Sequence, residues 1–450
     1  MNQVVHKSTV QRSLSAHAAL GLLASALLYI LCLTGTVTVL YEEWQRVEQP
    51  DAPEMTAIAP AAVQTAIANL LAGEKGRKAT GHLYVHLPTD ALPRTTITTD
   101  NQAAHVDARG ALAMPERNAW SEFLLGLHDM LNVPGVIGMT IVGALGVMML
   151  ALTLTGIIAH PRIFRDAFRL RARDKGGVGL ADWHNRLGVW TLPFAIAIAL
   201  TGAMIGLGSI NGYGLAGLFY KGDLEAAYAP IFGEEGKPDP KSAPLPDVAA
   251  ALRTMAQRFP EARPLYVILH EPLTAGQQVQ VLAGHDRRLI FGETYAFDSQ
   301  GRFTGKAGLS DGHIGQQVAA SAYNLHFGNY GGWPVKLAYI LFGAALCGMI
   351  AAGVLIWLGK RERRGFHHPR LRAAWHAIIW GVPFALSMTF LARLTIGNEA
   401  PFVAIFWLLL LASLIAALCL PDTIRRGLQF LLGAGVIGGG LLAAALALGG

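Results

Sequence analysis

Four histidines stand at matching positions in an internal repeat of the sequence. His17 and His184 each precede a Leu-Thr-Gly triplet, Leu33–Gly35 or Leu200–Gly202, by the same number of residues. His128 and His326 each follow a leucine and precede a proline that opens an apolar stretch. Parallel repeats in membrane proteins are related by an axis along the membrane normal, so equivalent residues meet at one depth. We therefore expect His17 to face His184, and His128 to face His326, at two different depths.

Paired imidazoles of this kind indicate iron chemistry. Two neutral imidazoles on facing helices match the axial positions of a b-type haem. Small residues let a flat macrocycle enter a helical bundle, and glycines recur at equivalent positions of the repeat, Gly35 with Gly202 and Gly156 with Gly353. The three cysteines lie in apolar stretches, and no CxxCH occurs, so covalent attachment is not indicated. The pattern predicts two non-covalent haem b groups, one near each membrane surface.

His160 is a fifth ligand candidate with a less defined role. It ends the second apolar stretch, and its position in the other repeat is near Trp357 rather than a histidine. It could replace His17 or His184 as an axial ligand, or donate a hydrogen bond to a haem propionate. His376 has the same ambiguity and ranks below His160. For the remaining histidines an ordinary polar role at an interface is favoured: His6, His82, His86, His105, His270, His285, His313, His367 and His368.

The elements that must position these histidines are membrane spans. Of the 450 residues, 52% are hydrophobic and only 15% charged, whereas soluble domains average about 25% charged. A span needs about 20 predominantly apolar residues. Seven stretches qualify: Ala18–Leu40, Pro134–Ala159, Leu187–Leu207, Leu337–Leu358, Ala373–Ala392, Phe402–Leu420 and Leu428–Leu448. The first is too long for a signal peptide and indicates a retained anchor.

The basic residues predict the orientation of the spans. Lys and Arg cluster in the short loops after the second, fourth and sixth stretches, and these loops lie on the same side as the N-terminus. Positively charged loops stay on the cytoplasmic side. The net charge of +6 is thus explained by topology, and no basic stripe with interleaved aromatics indicates a nucleic-acid partner. We expect a bacterial inner-membrane protein in contact with lipid, with a cytoplasmic N-terminus and two large periplasmic loops.

Each long loop is predicted to form a small α+β module. In the first, a helix pattern at Ala59–Leu71 precedes alternating segments at Gly81–Leu87 and Arg94–Thr99. In the second, a helix pattern precedes three strand-like segments; the four ranges are Pro246–Phe259, Leu265–Leu269, Gln277–Ala283 and Leu289–Phe297. The expected domain order is 1–41 (N-terminus and first span), 42–133 (first module), 134–207 (spans two and three), 208–333 (second module), 334–359 (span four) and 360–450 (basic loop and spans five to seven).

The chain resembles the PepSY-associated transmembrane proteins, which include inner-membrane siderophore-iron reductases. The resemblance rests on the segments HAALGLLASALLYILCLTGTVTVLYEEW, LTGIIAHPRIFRDAFRLR, DWHNRLGVWTLPF and NLHFGNYGGWPVKLAYILFGAALCGMIAAGVLIW, in that order. It implies an α-helical membrane protein with a four-helix, di-haem b core and PepSY-like periplasmic modules. It also implies that His17, His128, His160, His184 and His326 match the family's histidines, and that the protein reduces ferric iron held by a siderophore. Spans five to seven lie outside this core.

The sequence thus favours an oxidoreductase that passes electrons to a periplasmic ferric-siderophore or another ferric chelate. No nicotinamide or flavin fingerprint appears, so the donor would be a quinol or a cytoplasmic reductase. Two alternatives stay open. The modules could form a non-enzymatic binding or regulatory protein that the spans merely anchor, or the repeat could belong to a transporter of the chelate. The scarcity of charged residues in the core spans disfavours the transporter.

Overall fold

The computed structural model describes residues 2–162, 164–165, 168, 178–233, 238–285, 289–420, 430 and 433–438. These residues form helices and one sheet. The helices are α1 Asn2–Thr38, α2 Tyr41–Glu48, α3 Pro60–Gly73, α4 Ala119–Met130, α5 Gly135–Ala159, α6 Val178–Trp190, α7 Leu192–Gly206, α8 Gly208–Phe219, α9 Leu224–Phe232, α10 Val248–Arg258, α11 Ile314–Phe327, α12 Gly332–Glu362, α13 Pro369–Thr395 and α14 Phe402–Cys419. The strands are β1 His82–His86, β2 Thr95–Thr99, β3 Ala103–Val106, β4 Leu112–Pro115, β5 Ala262–His270, β6 Gln278–His285, β7 Phe291–Phe297 and β8 Phe303–Ala307.

The chain divides into two compact units. The span unit comprises 1–41, 118–207 and 333–450, and the sheet unit comprises 42–117 and 208–332. The short helix α4, which carries His128, belongs to the span unit.

Among the described residues of the span unit, five helices are long and apolar enough to cross a bilayer. They are Thr9–Thr38 of α1, α5, α12, α13 and α14. A sixth candidate is the pair Gly179–Trp190 and Leu192–Gly206, which is bent by 67°. The first, second, fourth, fifth and sixth predicted spans therefore coincide with candidate spans. The predicted seventh, Leu428–Leu448, lies outside the described residues apart from 430 and 433–438.

The third span differs from the straight helix that its hydropathy suggests. Pro193 stands within the first turn of α7, directly after the break at Thr191. Proline removes a backbone donor and clashes with the carbonyl four residues earlier, which interrupts the preceding helix. The bend therefore separates α6, the helix of His184, from the apolar α7. That apolar half packs closely on α5, where Gly143 and Gly206 leave no room for a side chain between the backbones.

The sheet unit contains one eight-stranded antiparallel sheet rather than two separate modules. Its strand order is β4-β3-β2-β1-β5-β6-β7-β8. The two predicted modules join because β1 pairs antiparallel with β5, with Val85 opposite Val267. Helices α3 and α10 cover one face, over a core that includes Val85, Val267 and Val281, all fully buried. The predicted helices and strands are confirmed here, with ends that shift by up to three residues.

Candidate functional site

The His17 side chain is held against α5 by a backbone carbonyl and a glycine. Its Nδ1 lies 2.9 Å from the Leu152 carbonyl oxygen and 3.3 Å from Thr155 Oγ1. Four residues beyond the carbonyl, Gly156 has no side chain, and a Cβ built there would lie 3.3 Å from His17 Cε1. The glycine therefore lets the ring reach a carbonyl that a larger residue would shield.

His184 has the same arrangement on α12. Its Nδ1 lies 2.8 Å from the Met349 carbonyl oxygen. Again a glycine follows four residues later, and a Cβ built at Gly353 would lie 3.2 Å from His184 Cε1. We call this element, a carbonyl at one position and a glycine four residues on, a carbonyl–glycine notch. The two repeats thus hold equivalent histidines in equivalent notches.

A third notch holds His128 on α1. The Nδ1 of His128 lies 3.1 Å from the Leu31 carbonyl oxygen and 3.3 Å from Thr34 Oγ1. A Cβ built at Gly35 would lie only 2.6 Å from His128 Cε1, so this ring packs tightest of the three. Along α1 this notch lies roughly 24 Å from His17 at 1.5 Å per residue. The span unit therefore fixes imidazoles at two well-separated depths.

These contacts determine which ring nitrogen is available to a ligand. A carbonyl oxygen only accepts hydrogen bonds, so a neutral ring must carry its proton on Nδ1 and its lone pair on Nε2. The neighbouring threonines agree with this tautomer, since Thr155 donates its hydroxyl proton to the Ala151 carbonyl at 2.7 Å and Thr34 donates to Ile30 at 2.8 Å. Each hydroxyl can then only accept from the histidine. Metal-binding histidines characteristically donate their second N–H to such an acceptor.

The rings of His17 and His184 lie close together. Their centroids are 6.2 Å apart and their planes are inclined by 81°. With metal–nitrogen bonds of about 2.0 Å and about 1.1 Å from nitrogen to ring centre, two imidazoles on opposite sides of one ion have centroids about 6.2 Å apart. The spacing therefore suits a pair of trans axial ligands.

His160 lies next to this pair, at the C-terminal end of α5. It is within electrostatic range of both His17 and His184. Arg186 and Lys360 are in turn within electrostatic range of His160. The structure thus brings three of the predicted histidines together and places two cationic groups near one of them, His160. His376 lies on α13 near Arg372.

His326 belongs to the sheet unit, near the end of α11. Its ring contacts Phe327 edge-on, at 5.7 Å between centroids. Phe327 stacks on Tyr323 at 4.4 Å, and Tyr323 stacks on Phe291 of β7 at 4.3 Å. An aromatic stack therefore fixes the helix turn that carries His326.

The sheet unit also contains a buried carboxylate that sequence reasoning did not identify. Glu293 is fully buried and accepts hydrogen bonds from Tyr295 at 2.7 Å, from Ser310 at 2.7 Å and from His285. Lys306 Nζ lies 3.5 Å from it. Burial raises the pKa of Glu293, but these hydrogen bonds and the lysine outweigh burial and lower the pKa to about 2. A charged residue inside an alternating strand pattern gives no signal of burial, because the pattern predicts it to face solvent.

Sequence comparison identifies the class of protein to which this span and sheet architecture belongs. A model of the PepSY-associated TM region matches residues 14–360. The chain therefore belongs to the family of PepSY-associated transmembrane proteins. The four sequence segments quoted above predicted this family. An uncharacterised protein of Pseudomonas aeruginosa is 29% identical over 258 residues, which cover 53% of this chain and 64% of that protein. The chain thus spans less than two thirds of that relative's length.

Proposed function

We propose that the chain is a bacterial inner-membrane di-haem b reductase that passes electrons to a ferric-siderophore or another ferric chelate. The observation that carries this proposal is the set of three half-buried imidazoles, His17, His184 and His128, each fixed through Nδ1 on a carbonyl–glycine notch. All three present Nε2 as the lone-pair nitrogen, the atom that binds haem iron.

We call the membrane depth of His17 and His184 the first level and that of His128 the second level. The residues at the first level fit a six-coordinate haem. His17 and His184 would hold this haem through their Nε2 atoms, and the 6.2 Å between their ring centroids would allow both rings to bind one iron. Leu152 and Met349 would orient the rings and raise their basicity through the Nδ1–H hydrogen bonds. Arg186 and Lys360, close to His160, would neutralise carboxylates at the haem edge. In this arrangement His160 would donate a hydrogen bond to a haem propionate instead of binding the iron.

At the second level, His128 would hold the other haem, and the sequence repeat predicts His326 as its partner ligand. Bound haem would supply one-electron transfer between these two levels. The electron would come from a quinol or a reduced cytoplasmic protein and would convert Fe(III) in the chelate to Fe(II). Ferrous iron is less charged and softer, so hard oxygen ligands release it more readily. The orientation with the sheet unit in the periplasm follows from the basic loops.

The experiment is a visible spectrum of the purified full-length protein with a haem assay. We expect two haems per chain, reduced by dithionite and reoxidised by added Fe(III) chelate. His184→Ala and His128→Ala should each remove about one haem, because each supplies one of two axial nitrogens at its own level. His313→Ala, an exposed histidine in the sheet unit, is the matched control. Full haem content in both ligand variants would reject the assignment.

The anchored binding protein remains the second candidate, because the sheet unit has its own hydrophobic core. This alternative predicts a colourless protein that still binds a chelate or peptide. A folded preparation without a Soret band would favour it over the reductase.

A further inference from the structure

Two histidines face each other across the seam between the halves of the sheet. His82 of β1 pairs directly with His270 of β5. Their sequence neighbours Leu83 and Leu269 are fully buried in the core beneath α3 and α10. Because side chains alternate along a strand, both imidazoles lie on the opposite face of the sheet. His82 is exposed there and His270 is half-buried.

The spacing of these rings suits two ligands on one ion, in a geometry different from that of the His17 pair. The ring centroids are 5.5 Å apart and the planes are inclined by 79°. Two imidazoles bound to one tetrahedral ion would have centroids about 5 Å apart. Tyr84 lies beside His82, with ring centroids 6.2 Å apart and planes inclined by 14°. Small side-chain rotations would bring both rings onto one ion.

The hydrogen bonds around His270 leave the lone pair on its Nδ1 atom without a hydrogen-bond donor. Gln280 donates its amide N–H to Gln278 Oε1 at 3.4 Å, which orients its own Oε1 towards His270 Nε2 at 3.2 Å. The Nε2 must therefore carry the proton, and Nδ1 carries the lone pair. That Nδ1 atom is buried and has no hydrogen-bond partner among the described residues. A buried acceptor without a donor is costly, and a metal ion would satisfy it.

The surrounding charge favours a cation. The carboxylates of Asp100 and Glu271 both approach Gly81, the residue before His82, within 3.7 and 3.9 Å of a Cβ built there. Asp100 accepts hydrogen bonds from the Gly81 amide at 2.7 Å and from Thr80 at 3.0 Å, and these bonds lower its pKa. Asp100 is also within electrostatic range of His82. A negative potential therefore lies beside the pair.

We propose that His82 and His270 bind one divalent transition-metal ion of borderline softness, with water in its other coordination positions. No cluster of three or more His, Cys, Asp or Glu side chains suited to a metal occurs among the residues that the structure describes, so the proposed site has two protein ligands. Imidazole suits Fe(II), Cu(II), Ni(II) and Zn(II), whereas Fe(III) prefers hard oxygen ligands. If the chain reduces ferric chelates, as proposed above, the natural ion is the ferrous product.

The test uses the oxidised full-length protein with Cu²⁺ as the probe. Wild type should bind one more Cu²⁺ than His82→Ala/His270→Ala, with two nitrogen donors in the difference electron paramagnetic resonance spectrum. Each single variant, His82→Ala or His270→Ala, should lower the affinity for this additional Cu²⁺ by about tenfold or more. Gln280→Leu keeps both ligands but removes the hydrogen-bond partner of His270, and it should lower the same affinity by about 10–100-fold. His86→Ala, on the same face of β1, is the control and should bind Cu²⁺ like wild type.

Equal Cu²⁺ binding by wild type and the double variant, or an equal loss in His86→Ala, would overturn the site. The single variant His82→Asn changes only an exposed side chain, so it keeps the test valid if the double variant unfolds. Anaerobic dialysis with Fe²⁺ should give the same difference of one ion, and no difference there would reject ferrous iron as the natural ligand. Haem content should be unchanged in all these variants, so a failed metal site and a failed haem assignment are distinguishable.

Discussion

Replacing the glycine of a notch by alanine should remove haem only where the new Cβ comes too close to the histidine ring. In Gly35→Ala the new Cβ would lie 2.6 Å from His128 Cε1, whereas ordinary contact begins at 3.4 Å, so the ring must withdraw by about 0.8 Å. Gly353→Ala and Gly156→Ala place the Cβ at 3.2 and 3.3 Å from their histidines and require only about 0.1–0.2 Å. Metal–ligand distances tolerate about 0.2 Å. We therefore expect Gly35→Ala to lose about one haem and the other two variants to keep both.

The assay is the haem-to-protein ratio and the absorbance spectrum of each purified variant. Gly21→Ala, on the same helix as Gly35, is the control, because its Cβ would meet only Leu152 at an ordinary 3.8 Å. Alanine is favoured over glycine in a helix by about 1 kcal/mol, so helix propensity does not weaken the fold in any variant. Equal haem content in Gly35→Ala and Gly21→Ala would refute the placement of His128 as a haem ligand.

Three further predictions concern the sheet unit. Glu293→Gln should lower its free energy of unfolding by about 3 kcal/mol, because the change removes the carboxylate from its buried hydrogen bonds and lysine. The same residue predicts acid sensitivity: since its folded pKa is about 2 and its ordinary value is 4.5, its stabilisation is complete above pH 4.5 and is lost as the pH falls towards 2. Circular dichroism melts between pH 7 and pH 3 check both, and a pH profile unchanged by Glu293→Gln would contradict them. Asp247→Ala should cost about 1 kcal/mol in the same melts, because Asp247 accepts the Ala250 amide at 2.7 Å as the N-cap of α10; no shift in the melting midpoint would contradict it.

Local patterns predicted the elements of this fold, but long-range pairing was beyond them. Hydropathy located the described spans, and alternation located the strands around Val85 and Val267, since both signals are carried by neighbouring residues. The β1–β5 pairing joins strands far apart in the chain, and the residue pattern of neither strand specifies the strand with which it pairs. The sequence did not predict the bend before Pro193 for a different reason. Hydropathy measures how apolar a segment is, and it does not register the backbone N–H that proline lacks, the loss of which interrupts the helix.

The histidine side chains of the candidate site were predictable from the sequence, but the backbone groups that hold them were not. The repeat brought His17 and His184 into one hypothesis, and the structure places their rings together. The acceptors at Leu152, Met349 and Leu31 were not predictable from residue type, because a backbone carbonyl is present at every position. The glycine four residues later was the available signal. His82 and His270 were interpreted as ordinary interfacial histidines, because their cross-strand register is visible only in the folded sheet.

The notches also explain why the proposed site needs a duplicated chain. Within the first repeat, α1 contributes His17 to the notch on α5 and offers its own notch to His128. One repeat can therefore orient imidazoles at two depths by itself. It cannot place two of them on opposite sides of one ion, since each notch fixes a single ring. In the proposed site that arrangement would arise between repeats, where the ring centroids of His17 on the α5 notch and His184 on the α12 notch are 6.2 Å apart. Removing either imidazole should therefore abolish the same haem, and His17→Ala and His184→Ala should have identical spectra.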